Sequence, residues 1–258
     1  MSILQKTIED GVAQLTMNRP EVLNALSGEL TDAITAGVNE ASARKDVRCI
    51  VIRGAGGKAF SAGTDLKERR GFDAEQKFAQ SRKLWVLNQA LMASPKPTIA
   101  AIDGWCLGGG FEMAIFCDLR IATENSVFGW PEMTLGAYPG GGTAVILPRL
   151  IGPSAAKKML FATHRNTAKE LEAMGLVNWL APTGGLDAKI ADVVADIKRR
   201  SPLALAALKE VMAKCADLPF DEAARFDNKL RRPLEGTRDY VEGIEAHFEK
   251  RAPVFTGE

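Results

Sequence analysis

Glu112 and Glu132 are the residues of this chain best suited to moving a proton. Each is the lone charged side chain of an apolar stretch: Glu112 in GGGFEMAIF (Gly108 to Phe116), Glu132 in FGWPEMTLGAYPGGGT (Phe128 to Thr143). Read alone, Glu132 fits an exposed loop carboxylate, but Trp130, Met133, Leu135 and Tyr138 give it a partly apolar surround. Such a surround raises a carboxyl pKa and suits it to proton transfer near neutrality. Beside Glu112, Gly108 to Gly110 carry no Cβ, so a ligand oxygen can come close to the main chain. A helix opening there aims its unpaired N–H groups and the positive end of its dipole at one point. Amide donors for a negative oxygen beside a buried carboxylate make an active-site arrangement. The same residues also fit a plain tight turn, with Glu112 stabilising its own helix N-terminus. A dinucleotide or phosphate loop fits less well, since GxGxxG is not matched from Gly108 and no Gly-Lys-Ser/Thr follows.

These groups need elements to hold them. Thr98 to Ile102 (TIAAI), bounded upstream by Pro95 and Pro97, reads as a buried strand that turns through the glycines into a buried helix. Earlier in the chain, Ile3 to Ile8 and Val12 to Met17 flank Asp10-Gly11, a hairpin signal. Ser27 suits the N-cap of a helix running to about Ala43, with Leu30, Ala33, Ile34, Val38 and Ala41 on one face. Cys49 to Arg53 (CIVIR) is a central strand. In KAFSAGTDLK (Lys58 to Lys67), Gly63-Thr64-Asp65 suits a turn that exposes backbone amides, and Asp65 is placed to cap the next helix. Glu68 to Gly71, charged and ending in glycine, reads as mobile. A helix from Ala74 to Met92 carries Phe78, Leu84, Trp85, Leu87 and Leu91. Leu119 to Ala122 and Val177 to Leu180 read as strands, and Thr167 to Glu170 as the capping box of a helix ending at Gly175. From about Asp187 the pattern is helical, broken by Pro202, Pro219 and Pro233. The fold class is α/β: βα or ββα units over residues 1–200, then a helical region over 201–258.

Composition narrows the function classes. At 258 residues, with 46% hydrophobic and 25% charged residues, the chain can bury one large core. A net charge of +1 argues against general nucleic-acid or membrane binding. Basic clusters are short: Lys67/Arg69/Arg70, Lys198/Arg199/Arg200 and Arg231/Arg232. The four cysteines (Cys49, Cys106, Cys117, Cys215) lack CxxC spacing and are expected to be free thiols in a reducing compartment. Two isolated histidines, His164 and His247, cannot build a His-rich metal site. MSILQKTIED lacks signal-peptide character, and no apolar run approaches the ~18 residues of a membrane-spanning helix. The expectation is a soluble, cytoplasmic protein.

Taken in order, NRPEVLNALS (Asn18 to Ser27), KAFSAGTDLK, IDGWCLGGGFEMAIFCDLRIA (Ile102 to Ala122), FGWPEMTLGAYPGGGT and RDYVEGIEAHFEKRAPVFTG (Arg238 to Gly257) resemble the crotonase, or enoyl-CoA hydratase/isomerase, family. The resemblance covers essentially the whole chain. It implies a spiral of ββα units, a helical C-terminal region used in trimer assembly, and a homotrimer or a hexamer built as a dimer of trimers. It implies an acyl-CoA substrate whose thioester oxygen accepts bonds from the Thr64 and Gly109 amides, with coenzyme A as part of the substrate and no separate cofactor. Ala62, Thr64, Asp65, Leu66, Lys67, Gly109, Trp130 and Tyr138 are implied to line the substrate site, with Trp85 and Phe78 as further candidates. By the same likeness, Glu112 activates the water that attacks Cβ and Glu132 protonates Cα, the two-glutamate pattern of a hydratase. A double-bond isomerase needs one carboxylate only, and a non-catalytic acyl-CoA- or RNA-binding relative needs neither. Thr64 stands where alanine is common in the family, Trp130 where glutamine is, and Tyr138 where an aliphatic residue is. Phe220, Phe226 and Phe248 are expected to be buried in the assembly, and Lys250 and Arg251 to be candidates for reaching coenzyme A phosphates.

Overall fold

The computed structural model describes residues 2–162 and 165–258, so His164 lies outside the described residues. A hairpin opens the chain: β1 (Leu4–Glu9) and β2 (Val12–Met17), turned by Asp10 and Gly11, both at positive φ. α1 (Gly28–Ala43) follows, and its N-cap Ser27 accepts the Leu30 N–H through Oγ at 3.1 Å. Next come β3 (Cys49–Gly54), β4 (Ala59–Ser61), the single-turn α2 (Leu66–Arg69) and α3 (Ala74–Ala93). The following pass is β5 (Thr98–Ile102), β6 (Trp105–Leu107) and α4 (Gly109–Phe116). After it run β7 (Leu119–Thr123), β8 (Val127–Gly129), a 3₁₀ turn at Pro131–Thr134, α5 (Thr143–Ile151) and α6 (Pro153–Phe161). β9 (Asn166–Thr167), α7 (Ala168–Ala173), β10 (Trp179–Ala181) and α8 (Leu186–Lys198) lead to the helical tail of α9 (Pro202–Cys215), α10 (Phe220–Arg231) and α11 (Arg238–Glu249).

One sheet has the order β1-β2-β3-β5-β7-β10, and the second β4-β6-β8-β9. In the first, only the β1–β2 pair is antiparallel. The chain repeatedly lays one strand in each sheet in turn: β3 then β4, β5 then β6, β7 then β8. That is the ββα spiral the resemblance implied. The apolar runs of β3 and β5 are unbroken because both faces are covered. Ile50, Ile52, Ala100 and Ile102 face the core shared with Leu30, Ile34 and Val38 of α1 and with Leu87 and Leu91 of α3. Cys49, Val51, Ile99 and Ala101 face the opposite way, onto Leu186, Ile190, Val193 and Val194 of α8. Each fully buried Ile or Leu contributes ~1.5–3 kcal/mol relative to exposure.

Several elements differ from the sequence reading. TIAAI does not run directly into the glycines: the chain turns at Asp103-Gly104 and adds β6, which belongs to the second sheet. Three-residue strands such as β6 are too short to carry a period. The last strand begins at Trp179, with Val177 instead packed in the core. The Glu68–Gly71 stretch, expected to be mobile, is tied down: Glu68 Oε2 accepts the Gly28 N–H at 3.0 Å and Gln80 Nε2–H at 2.8 Å. Its charge is spent on cross-links between α1, α2 and α3. The four cysteines are free thiols.

Candidate active site

The site is built around the start of α4. Gly108 leaves β6 at φ 50°, a conformation side chains rarely adopt, and a Cβ there would lie 2.5 Å from Glu132 Oε1. Glycine therefore both makes the turn and leaves space for the Glu132 carboxyl. Gly63, at φ +93°, brings a second turn against the first, since a Cβ on it would lie 2.9 Å from the Leu107 carbonyl and 3.2 Å from the Gly109 nitrogen. A bridge pairs Leu26 with Thr64: Leu26 N–H donates to Gly63 O at 2.8 Å and Asp65 N–H to Leu26 O at 3.0 Å. This parallel pattern engages the residues on either side of Thr64 and leaves its own N–H out of the ladder. Gly109, as the first residue of α4, has an N–H with no intrahelical acceptor.

Glu112, in the first turn of α4, is only 3% exposed. Its Oε2 accepts the Gly141 N–H at 2.7 Å and the Thr143 hydroxyl at 2.8 Å. Burial raises its carboxyl pKa, and the bonds from Thr143 and Gly141 offset that rise only in part. Glu132 projects from the Pro131–Thr134 turn. Burial pushes its pKa up to about 7, with the Glu112 charge adding to the rise and the Gly109 N–H among the groups opposing it. Its Oε2 is buried without a partner. Phe111, beside Glu112 in the chain, stacks on Trp130 (centroids 4.3 Å apart, 15° between planes) and tilts against Phe128 at 5.1 Å. Phe111 precedes Glu112 and Trp130 lies two residues before Glu132, so the stacked rings adjoin both carboxyls in the chain. At the far end of α4, Arg120 donates to the carbonyls of Cys117 (2.7 Å) and Ala114 (3.3 Å), a cation at the negative end of the helix.

The family model for enoyl-CoA hydratase/isomerase matches residues 7–258. The chain belongs to that family. YngF of Bacillus subtilis (strain 168), named for the same hydratase/isomerase class, is 37% identical over 99% of this chain and 98% of its own length. The 2,3-dehydroadipyl-CoA hydratase of Escherichia coli (strain K12) is 34% identical over the whole of both chains. The crystal structure of an enoyl-CoA hydratase from Bacillus anthracis matches with a TM-score of 0.97 at 32% identity, covering 100% of each chain. The fold is thus the crotonase fold, and acyl-CoA thioesters are the substrates of this hydratase/isomerase family.

Within the hydratase/isomerase framework, the expected site residues separate into groups. Thr64, Gly109, Glu112 and Glu132 converge. Asp65 is 8% exposed and fully engaged: Oδ1 caps α2 through the Lys67 N–H at 3.1 Å, and Oδ2 pairs with Arg19 at 2.9 Å. Burial alone would raise its pKa, but Arg19 and the Glu68 and Lys67 amides outweigh that and lower it. Ala62 is bonded through its N–H to Leu23 O at 2.9 Å, while Leu66 and Lys67 are exposed on α2. Trp130, expected to face substrate, is 5% exposed in the core because its flat ring stacks on Phe111; its Nε1 has no partner. Tyr138 (68% exposed) and Phe78 (63%) lie on the surface. Trp85 comes nearer: a Cβ on Gly142 would meet its ring at 3.3 Å and the Phe116 ring at 2.8 Å. Arg251 is held by Glu242 and Glu249 of its own chain, both at 2.6 Å, rather than standing free for a phosphate.

Asn88 and the Thr143 hydroxyl escaped the sequence reading. Asn88 is wholly buried on α3, and its Nδ2 donates to Gly141 O at 2.8 Å. The signal was an amide placed on the same helix face as Leu84, Leu87 and Leu91. Among the described residues, no group of His, Cys, Asp and Glu could hold a metal ion, and no helix is long and apolar enough to cross a membrane.

Proposed function

We propose that this chain hydrates trans-2-enoyl-CoA thioesters. The observation that carries this reading is the pair of carboxyls, Glu112 and Glu132, brought to one site by separate elements and coupled through their charge. In this reading the thioester oxygen accepts the N–H groups of Thr64 and Gly109. Fixed amides there favour the enolate over the ground state, and each such donor is worth ~3 kcal/mol in rate terms. Glu112, whose ionised form the Gly141 and Thr143 bonds favour against its burial, takes a proton from water as the water oxygen bonds Cβ. The electrons of the Cα=Cβ bond move onto the thioester oxygen. As the enolate collapses, Cα takes a proton from Glu132, whose pKa of about 7 keeps much of it protonated at neutrality. Exchange with solvent then resets both carboxyls. Coenzyme A is part of the substrate, and the scheme uses no other cofactor.

Glu112→Gln and Glu132→Gln keep shape and hydrogen bonding but remove the titrating group. Each is expected to slow hydration by ~100-fold or more, with acyl-CoA affinity little changed. The decay of the conjugated enoyl-thioester absorbance measures this rate. An isomerase reading takes over if Glu112→Gln still hydrates normally while Glu132→Gln abolishes double-bond migration. If neither change alters any acyl-CoA reaction, the chain is a binding protein.

A further inference from the structure

We propose that Asn88 is a positioning residue for Glu112, holding the Gly140-Gly141-Gly142 turn so that the Gly141 amide stays on the carboxylate. The relay runs through two bonds of one peptide-linked residue. Asn88 Nδ2 donates to Gly141 O at 2.8 Å, and Gly141 N–H donates to Glu112 Oε2 at 2.7 Å. Asn88 comes from α3, Glu112 from α4, and the turn leads into α5, so this residue joins three elements at the carboxyl. The turn itself is three glycines and has no side chains of its own to fix it.

Two further observations separate this role from ordinary core packing. Asn88 has no exposed surface, yet its Oδ1 has no partner. An apolar residue at that position would remove this desolvated acceptor, so the amide is explained by its donor half. Reversing the side-chain amide would set Oδ1 against the Gly141 carbonyl, two acceptors face to face, so the donor assignment is the favourable one. The space is also tight: a Cβ on Gly141 would lie 2.8 Å from Asn88 Nδ2 and 3.2 Å from Glu112 Oε2. A turn this close to both groups transmits a small displacement directly to the carboxylate.

The groups around Glu112 define what a release of the turn would do. α3 and α5 bring Asn88 and Thr143, neither of them charged. The ionisable group that couples to Glu112 across the site is Glu132. The Gly141 bond favours the ionised form of Glu112, so its loss drives the carboxyl toward the neutral form. Under the hydratase reading, on which this inference rests, that removes the base that takes the proton from water.

The test is an NMR titration of Glu112 in protein carrying ¹³C-labelled glutamate, the resonance being assigned with Glu112→Gln. In Asn88→Leu, which fills the site without a donor, Glu112 is expected to titrate ~1 pH unit higher than in the wild type. The acid limb of kcat/KM for enoyl-CoA hydration should move up with it, while KM changes little. Asn88→Ala removes the same donor without adding bulk and decides the matter if Asn88→Leu does not fold. An unchanged Glu112 titration in either folded variant overturns the proposal. Because the titration needs no turnover, a wild type inactive on enoyl-CoAs refutes the hydratase reading while the shift, or its absence, still decides the role of Asn88.

Discussion

Glu132 illustrates how a site residue can cost the fold what it supplies to the chemistry. Its pKa is raised from the ordinary 4.5 to about 7, chiefly by burial. A carboxyl whose folded pKa lies above its unfolded one favours the folded state fully below pH ~4.5, and that advantage is lost as pH rises through about 7. Above that point the protein must hold a charge where its surroundings disfavour one. Glu132→Gln is therefore expected to be more stable than the wild type at pH 8.5, by ~2–3 kcal/mol, with the difference vanishing toward pH 4.5. Urea unfolding at the two pH values measures it; an equal difference at both would show that the folded carboxyl is not perturbed. The partner, Glu112, has two bonds on Oε2 that oppose its burial, whereas Glu132 Oε2 has none. Burial raises both pKa values, and on Glu112 the two bonds to Oε2 oppose that rise by favouring the ionised form.

At the scale of elements, the tail is pinned to the framework that positions α4. Lys209 of α9 donates through Nζ to the Leu91 and Lys96 carbonyls (3.0 and 3.1 Å) and to Asp118 Oδ2 (2.7 Å). Asp118, just beyond α4, also accepts the Thr98 N–H at 2.7 Å, joining the end of α4 to the start of β5. The Lys209 side chain is only 13% exposed, so water compensates poorly for its loss. Lys209→Met keeps the apolar stem and removes all three donations. It is expected to lower stability by ~1–3 kcal/mol and to speed hydrogen exchange across α9. Unchanged exchange in α9 would mean that apolar packing alone docks the tail.

The whole molecule leaves apolar surface on that tail. Phe220 is 83% exposed, Phe248 79% and Met212 68%, while Phe226 is half-buried. A single chain does not bury these side chains, and soluble proteins rarely leave large contiguous apolar patches to water. We propose that the tail packs against other copies in a closed trimer, or in a hexamer made of two trimers. Light scattering on the eluting protein is expected to give three or six times the mass of one chain. A stable monomer at micromolar concentration would rule the assembly out.

The sequence by itself determined the elements whose periods or caps are long enough to read. The Asp10-Gly11 hairpin, the Ser27 cap and the Leu30–Ile34–Val38 face of α1, the Thr167–Glu170 capping box and the buried runs of β3 and β5 are all local, so neighbouring residues suffice to specify them. Glu112 and Glu132 stood out for the same reason, as single charges in apolar surroundings. Their meeting was not local. It depends on β6 and β8, each three residues long, laying their ends side by side in a sheet that no period announces. The fates of Trp130 and Asp65 also waited on the fold, because a ring can line a pocket or stack on Phe111, and a carboxylate can meet ligand or Arg19. Asn88 is the furthest case. Nothing near it in the chain explains a buried amide; its partner, Gly141, lies 53 residues away. Tertiary structure decided which polar groups face one another, since hydrogen bonds act over a few ångströms of space and are indifferent to distance along the chain.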